Sequence, residues 1–337
     1  MTDVKVSSYN IHSCVGADGL YSTDRLARVI AEGDAQIVCL QEVEVANHTV
    51  SPMRTRIWSS PHNDDQPAVI ASLAGFDYHV FVPAIRCKAS SHCREKHGFV
   101  SDGDVSGTFC DEHWKSKYAT EEQRNNVDED ENDGMGKFGI AILSKYPIVE
   151  IRTHQYRRYK RKTLRNAMAC RVCLPNNTHF WVVNTHLGCH FIGREQYLQS
   201  KELVTFVDFL VEERLASKTT ETTSSYGVIV CGDFNSPPLL SSIRTLRQSG
   251  LCDVWQTSAG NTGLIAGGTF PSHARVLGVP FLSCVRKFLR LDYIFLHESG
   301  RREIVCKSIH VQDGGYDCLM ASDHLPVNAI FLVGPLC

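Results

Sequence analysis

Val228 to Pro238 read VIVCGDFNSPP, and the fold turns on how this stretch is read. Val228 to Cys231 form a short apolar, β-branched run of the kind that fills a buried strand. Gly232 is expected to break that strand just where Asp233 appears. Asp233 and Asn235 stand two residues apart, so extended geometry would point both side chains to one face, at a strand end of the sort where α/β folds carry chemistry. A carboxylate and a carboxamide would then share one pocket. The same letters also spell a turn in which Asp233 and Asn235 cap backbone amides ahead of Pro237 and Pro238. Only the rest of the chain separates the two readings.

The chain has 337 residues, 43% of them hydrophobic, enough for a sizeable core in one large domain or two. A formal net charge of -2 removes any global attraction to nucleic acid or anionic membrane, so a basic footprint has to be local. The 14 cysteines are scattered, and Cys39, Cys170, Cys173 and Cys231 fall inside apolar, strand-like runs. That pattern suits buried thiols better than a disulfide framework and predicts a reducing, intracellular compartment such as the cytoplasm. MTDVKVSSYN lacks the basic start and apolar run of a signal peptide, and no apolar stretch is long enough to predict a membrane span.

Working outward, Val4 to Tyr9 is predicted as a strand ending at Asn10 and His12. Ser22 or Thr23 caps a helix through Glu32 with Leu26, Val29 and Ile30 on its apolar face. Ile37 to Leu40 is a second buried strand ending at Gln41 and Glu42, and a glutamate there needs solvent, a cation or a partner. A helix from Gln66 to Ala74 stops at Gly75, and a strand runs from Tyr78 to Val82. Strands follow at Phe138 to Leu143, Val149 to Arg152, Ala167 to Leu174 and Phe180 to Asn184, then a long amphipathic helix from Arg194 to Leu215. After the opening stretch come a helix near Leu239 to Gln248, strands at Leu291 to Leu296 and Ile304 to Val311, the segment SDHLP at 322–326, and a last strand to Val333.

Two segments are set apart by charge. Residues 120–133, TEEQRNNVDEDEND, set Glu121, Glu122, Asp128, Glu129, Asp130, Glu131 and Asp133 against Arg124 alone, in a span from about 84 to 136 where apolar periodicity fades. Such a run reads as a solvated loop. Residues 152–165 carry Arg152, Arg157, Arg158, Lys160, Arg161, Lys162 and Arg165 with no acid, and Tyr156 and Tyr159 sit among them. They read either as a soluble loop or as a phosphate-facing patch whose tyrosines stack on a base or lie against a lipid headgroup. Cys87, Cys93, Cys110 and His113, with His92 and His97 nearby, raise a structural Zn²⁺ in the insert, although the spacing of Cys87 and Cys93 is irregular for one.

Polar groups recur at the ends of apolar strands: Asn10, Glu42, Asn184 with His186, Asp233 with Asn235, Asp292, and Asp323 with His324. One such group is an ordinary cap, but a series of them points to a common rim. From YNIH at residues 9–12 through LQEVE (40–44), GIAILSKYPI (139–148), VVNTHLG (182–188), GDFN (232–235), TFP (269–271), RLDYIF (290–295) and SDHLPV (322–327), the chain resembles the endonuclease/exonuclease/phosphatase superfamily, which includes deoxyribonuclease-like and neutral sphingomyelinase-like metal-dependent phosphoesterases. It departs at Ile140, where many relatives have asparagine, and in the insert. The resemblance implies a four-layer α/β sandwich, two mixed β-sheets packed face to face and flanked by helices, with residues 1–337 as a single domain.

It also implies a metal-dependent hydrolase of phosphate esters. Glu42 is the expected main ligand of a hard divalent ion, assisted by Asn10 and Asp323; oxygen-only ligation favours Mg²⁺, with Mn²⁺ as a substitute. Asp233 would orient or deprotonate the attacking water and Asn235 would hold that water or a phosphate oxygen. His324 paired with Asp292 would favour imidazolium near the phosphate, and His186 would bind a non-bridging oxygen. Arg165 and Asn184 are the candidate phosphate contacts, and His12 reads as a structural histidine. The substrate implied is a phosphodiester or phospholipid-type ester, with peripheral membrane contact; the alternatives are a nuclease on DNA or RNA, an inositol phosphate phosphatase, or a non-catalytic scaffold on the same fold.

Overall fold

The computed structural model describes residues 1–45, 62–88, 135–157, 164–190, 192–216, 227–258, 266–273, 287–301 and 303–334. In the order of the chain these form β1 (Thr2–Asn10), α1 (Thr23–Glu32), β2 (Ile37–Val45), α2 (Gln66–Ala74), β3 (Tyr78–Lys88), β4 (Met135–Ser144), β5 (Ile148–Gln155), β6 (Asn166–Cys173) and β7 (His179–His186). There follow α3 (Arg194–Ala216), β8 (Val228–Asp233), α4 (Ser241–Gln248), β9 (Leu251–Asp253), α5 (Val254–Thr257), β10 (Asp292–His297), β11 (Ile304–Val311), α6 (Gly315–Met320) and β12 (Val327–Val333).

Local chemistry accounts for the helix ends. The Ser22 hydroxyl accepts from the Arg25 N–H at the start of α1, and Asp65 accepts from Ala68 N–H at the start of α2. Gly75 closes α2 at φ +73, a left-handed turn open to glycine at little cost.

The strands assemble into two six-stranded sheets, β11-β12-β1-β2-β4-β3 and β5-β6-β7-β8-β10-β9. Each is mixed, with one parallel pair, β1 with β2 and β7 with β8, among antiparallel neighbours. The two sheets pack face to face: Val6, Ile37, Cys39, Ile140 and Ile142 from the first share a core with Met168, Val182, Ile229, Cys231 and Ile294 from the second. Leu26, Val29 and Ile30 of α1 cover the outside of the first sheet against Val38 and Leu40. Leu203, Phe206 and Leu210 of α3 and Ile243 of α4 cover the second against Val183, Val228 and Val230. The run VIVC is therefore apolar at every position because alternate side chains enter different layers, Val228 and Val230 the helix layer and Ile229 and Cys231 the inter-sheet core. This is the four-layer α/β sandwich.

Three strands differ from expectation. Gly232 does not break β8, which continues to Asp233; it is needed because a Cβ there would lie 2.1 Å from Thr185 O on β7. β2 does not end at Gln41 but runs on to Val45 through a bulge between Gln41 and Val43, where Glu42 has φ +57. β3 extends to Lys88, past the point where hydrophobic alternation fades, because β4 pairs with it as far as Met135. The acidic run, Tyr159, Arg158, Lys160 to Lys162 and the side chains raised for Zn²⁺ lie outside the described residues. Among the described residues no cysteine is in a disulfide, and no helix is long and apolar enough to cross a membrane.

Candidate active site

With β1 parallel to β2 and β7 parallel to β8, four strands deliver their C-terminal ends to one end of the sandwich, and β10 and β12, antiparallel to them, begin there. Asn10 closes β1, Glu42 projects from the bulge of β2, His186 closes β7 and Asp233 closes β8. Asp292 opens β10 directly opposite Asp233, and His186 is paired with Asp233 on its other side. His324 comes from the loop before β12, where Ser322 Oγ donates to Asn10 O at 2.7 Å and accepts from the His324 N–H at 3.2 Å.

Asp233 is the hub. Its Oδ2 accepts from Asn10 Nδ2 at 2.9 Å and lies 3.5 Å from His186 Nε2 and 3.8 Å from His324 Nε2. Its Oδ1 accepts the Asn235 N–H at 2.8 Å. Asp233 caps the turn and also lies at the centre of this polar cluster. The two side chains do not share a face by extension, because Asn235 is at φ +46, and it is this turn that carries its amide back toward His186. Asn235 Nδ2 donates to Leu187 O at 2.9 Å, which fixes the orientation of the amide, and its second hydrogen faces His186 Nε2 at 3.1 Å. His186, buried, thus helps to hold Asn235 in place, with its Nε2 also 3.5 Å from Asp233 Oδ2.

His324 Nδ1 is 2.8 Å from Asp292 Oδ2. Burial works against a charged ring, but the Asp292 and Asp233 carboxylates override it and push the His324 pKa up to about 10. Burial raises Asp233, the charge on His324 opposes it and Asp292 adds to the rise, leaving the carboxyl at about 6. The pair is thereby divided into an imidazolium and a carboxylate poised near neutrality.

Residues 7–324 match the model of the Endonuclease/Exonuclease/phosphatase family. The chain belongs to that family. Solved structures agree in fold: an endonuclease/exonuclease/phosphatase from Beutenbergia cavernae (TM-score 0.63, 19% identity, covering 99% of this chain and 72% of that one), and the human nocturnin catalytic domain with a bound sulfate anion (0.56, 17%, 98% and 93%). A mannosyl-6-phosphatase from Bacteroides thetaiotaomicron is similar at TM-score 0.57 and 16% identity, over 98% of this chain and 99% of that one. No curated protein sequence matches it.

For a chain of the endonuclease/exonuclease/phosphatase family, phosphoesterase or nuclease-type activity and divalent-metal dependence are the family's chemistry. The densest cluster of possible ligands among the described residues is Asp233, Asp292 and His324, whose ligand atoms lie within 4.8 Å of one another. It is a poor cage for a hard cation, since His324 and Asp292 are bonded to each other and both Asp233 oxygens accept N–H groups. Glu42 is the more open carboxylate: its Oε1 lies 4.0 Å from His186 Nε2, beside Asp233, while Asn10 Oδ1 accepts the His12 N–H and Asp323 Oδ2 lies 3.8 Å from His12 Nε2. Four carboxylates, Glu42, Asp233, Asp292 and Asp323, meet one strongly basic imidazole here, an excess of negative charge that a divalent cation would neutralise.

Arg165 is buried beside Phe138, 5.7 Å from the ring, with Nε and Nη1 making no hydrogen bond. Burial lowers its pKa while Cys189, Asp233 and Glu195 hold it up, and its open Nε and Nη1 are donors suited to an anion. Asn184 does not join it. It is buried one pleat deeper, donating to Leu40 O and Ala141 O and accepting from Gln41 Nε2, so no N–H is left for a phosphate. Tyr156 is no stacking platform either, being buried with its hydroxyl bonded to Thr185 Oγ1 at 2.7 Å. Arg152 is tied to Glu150 and Arg157 lies near Glu202, so the described part of the basic segment is not a single patch. His12 Nδ1 is bonded to Val15 O at 2.8 Å, and its Nε2 lies 3.8 Å from Asp323 Oδ2.

Thr269 carries no signal in the sequence beyond its membership of TFP. In the structure its Oγ1 accepts the Leu291 and Asp292 N–H groups, and its carbonyl accepts from Leu325, so it braces both partners of the His324–Asp292 pair.

Proposed function

We propose that the chain is a Mg²⁺-dependent phosphoesterase that hydrolyses a phosphodiester or phospholipid-type ester by attack of an activated water. The observation that carries this reading is the coupling of Asp233 to the His324–Asp292 pair in one buried cluster, with the two pKa values drawn apart to about 6 and about 10. At neutral pH Asp233 is largely ionised and accepts a proton as the water oxygen bonds to phosphorus. The His324 imidazolium faces the negative charge that grows on the phosphoryl oxygens, and Asp292 holds the ring oriented for it. Asn235, whose two amide hydrogens are held by Leu187 O and His186 Nε2, orients the water through its Oδ1 as acceptor, and Arg165 takes a phosphate oxygen. Glu42, Asn10 and Asp323 would hold Mg²⁺, or Mn²⁺ in its place, which when bound supplies Lewis-acid neutralisation of the phosphoryl group. As the ester P–O bond breaks, the electron pair leaves with the alcohol oxygen, which is protonated from His324 or solvent.

The test is hydrolysis of bis(p-nitrophenyl) phosphate by the purified chain with and without EDTA, restored by added Mg²⁺. Turnover that survives full chelation removes the metal from the mechanism. Absence of turnover on this diester, on a phospholipid, on an inositol phosphate and on DNA and RNA alike would leave the scaffold alternative.

A further inference from the structure

The stripe of α3 that is turned to the second sheet changes character along its length. Leu203, Phe206 and Leu210 share a core with Val183, Val228 and Val230. The same spacing of three and four residues, carried back into the first turns of the helix, falls on Gln199 and Gln196. Both are buried, at 3% and 2% exposure. A leucine at either position would extend the core without cost, whereas a buried amide is unfavourable unless its hydrogen bonds are made. Gln199 Oε1 accepts the Gly188 N–H at 2.7 Å. Gln196 Nε2 donates to His190 O at 3.0 Å and to Asn235 O at 3.2 Å, and since both neighbours are carbonyls only the NH₂ end of the amide can face them. Gln196 therefore ties the loop that follows β7 to the turn that follows β8. Its own Oε1 is buried without a hydrogen bond, a cost that packing alone does not explain.

We propose that Gln196 is a positioning residue, a clamp that holds the Asn235 turn so that Asn235 Oδ1 stays aimed at the attacking water. This rests on the role given to Asn235 under the phosphoesterase reading. Asn235 sits at φ +46, and a side-chain-bearing residue stays in that conformation only where its surroundings over-determine it. Its N–H is held by Asp233 Oδ1 and its side-chain amide by Leu187 O. Its carbonyl is held from the helix layer by Gln196, and the next carbonyl, Ser236 O, accepts from Tyr293 Oη at 2.7 Å on the sheet side. The clamp has a stiff base, because Gln196 belongs to a helix of 23 residues whose Leu203 and Phe206 are fully buried. Loss of the clamp lets Asn235 Oδ1 drift from the water while Arg165 and His324 still meet the ester, so the penalty falls on kcat and spares KM.

The test uses the full chain. Gln196→Met keeps the length of the side chain and removes both N–H donors. It is expected to lower kcat on bis(p-nitrophenyl) phosphate by about 10- to 100-fold, with KM and the Mg²⁺ requirement within about twofold of wild type. Val207→Ala, a core change in the same helix, lowers the urea midpoint and leaves kcat per folded molecule unchanged. In an Asn235→Ala background Gln196→Met costs less than about twofold in kcat, because a residue that acts through Asn235 then has nothing left to position. Losses that multiply in the double variant, or a Gln196→Met penalty carried by KM, would overturn the proposal. Amide hydrogen exchange followed by NMR reads the clamp without turnover: in Gln196→Met, exchange at the Asn235 N–H quickens at least about tenfold more than at Val230 in β8. Equal changes at the two amides would overturn the proposal as well. A chain that shows the expected exchange but cleaves no ester keeps the clamp and loses the catalytic reading. One that cleaves the diester with wild-type kcat in Gln196→Met keeps the catalytic reading and loses the clamp.

Discussion

Asn184 and Asn235 are the same residue type at the ends of neighbouring parallel strands, yet they belong to two different kinds of polar layer. The deeper layer stitches the sheets together: Asn184 bonds to Leu40, Ala141 and Gln41, and Gln41 to Ser8 and Cys39 as well. It is neutral, and its amide N–H groups are satisfied within the protein. The outer layer, built on Asn10, Asp233, Asn235, Asp292 and His324, is charged and keeps open valences such as Asp292 Oδ1 and the nearby Arg165 Nε and Nη1. The deeper layer leaves over only a neutral acceptor, Gln41 Oε1, whereas the outer layer leaves charged groups open to a visitor.

The sharpest test of that division is Asp233→Asn, which is expected to lower kcat by on the order of 10² to 10⁴ with native circular dichroism, as is His324→Ala. Near-normal turnover in either variant would place that residue in the cohesive layer. Glu42→Gln should raise the Mg²⁺ concentration for half-maximal activity at least tenfold, roughly, measured by titration. Asn184→Ala inverts the pattern: three hydrogen bonds are lost and two buried carbonyls stranded, so urea denaturation should show a loss of about 2–4 kcal/mol while kcat per folded molecule holds.

A smaller effect lies in pH. His324 has its pKa raised from the ordinary 6.5 to about 10, so its contribution to folding is complete below the ordinary value and is lost as pH rises through about 10. Activity should fall along the same alkaline limb, and rise on the acid side as Asp233 ionises through about 6, or lower once a cation is held by Glu42. Asp292→Asn removes the largest influence raising the His324 pKa, so the alkaline limb of kcat/KM should move to lower pH; a limb that stays put would detach His324 from it. Smallest of all is Arg152→Ala. Its ion pair with Glu150 is partly exposed, and stability should change by less than about 1 kcal/mol with no change in salt dependence of the rate.

Much of this was legible in the letters. The continuous run of Val228 to Cys231, the cap of Ser22 and the stop at Gly75 report local forces, and local forces act wherever the chain goes. What was not legible is depth. Alternation puts Asn184 and His186 on the same face of β7, but whether such a residue reaches the rim or meets Gln41 below it depends on a strand of the other sheet, distant in sequence. Tyr156 deceives for the same reason: among so many bases it looks wet, yet its position beyond β5 puts it under the β7 residue Thr185. The metal and the substrate are reached by resemblance, because composition alone does not choose among phosphate esters.

Glu42 carries a consequence for how this protein can change. Its backbone sits at φ +57, where a side chain costs about 1–2 kcal/mol relative to glycine. Selection for thermal robustness alone would drift toward glycine at this position, easing the strand and erasing the carboxylate in the same step. A thermostable library built without an activity screen should therefore enrich Glu42→Gly variants that are robust and inert, and the depletion of such variants under an activity screen measures how strongly function holds this backbone where it is.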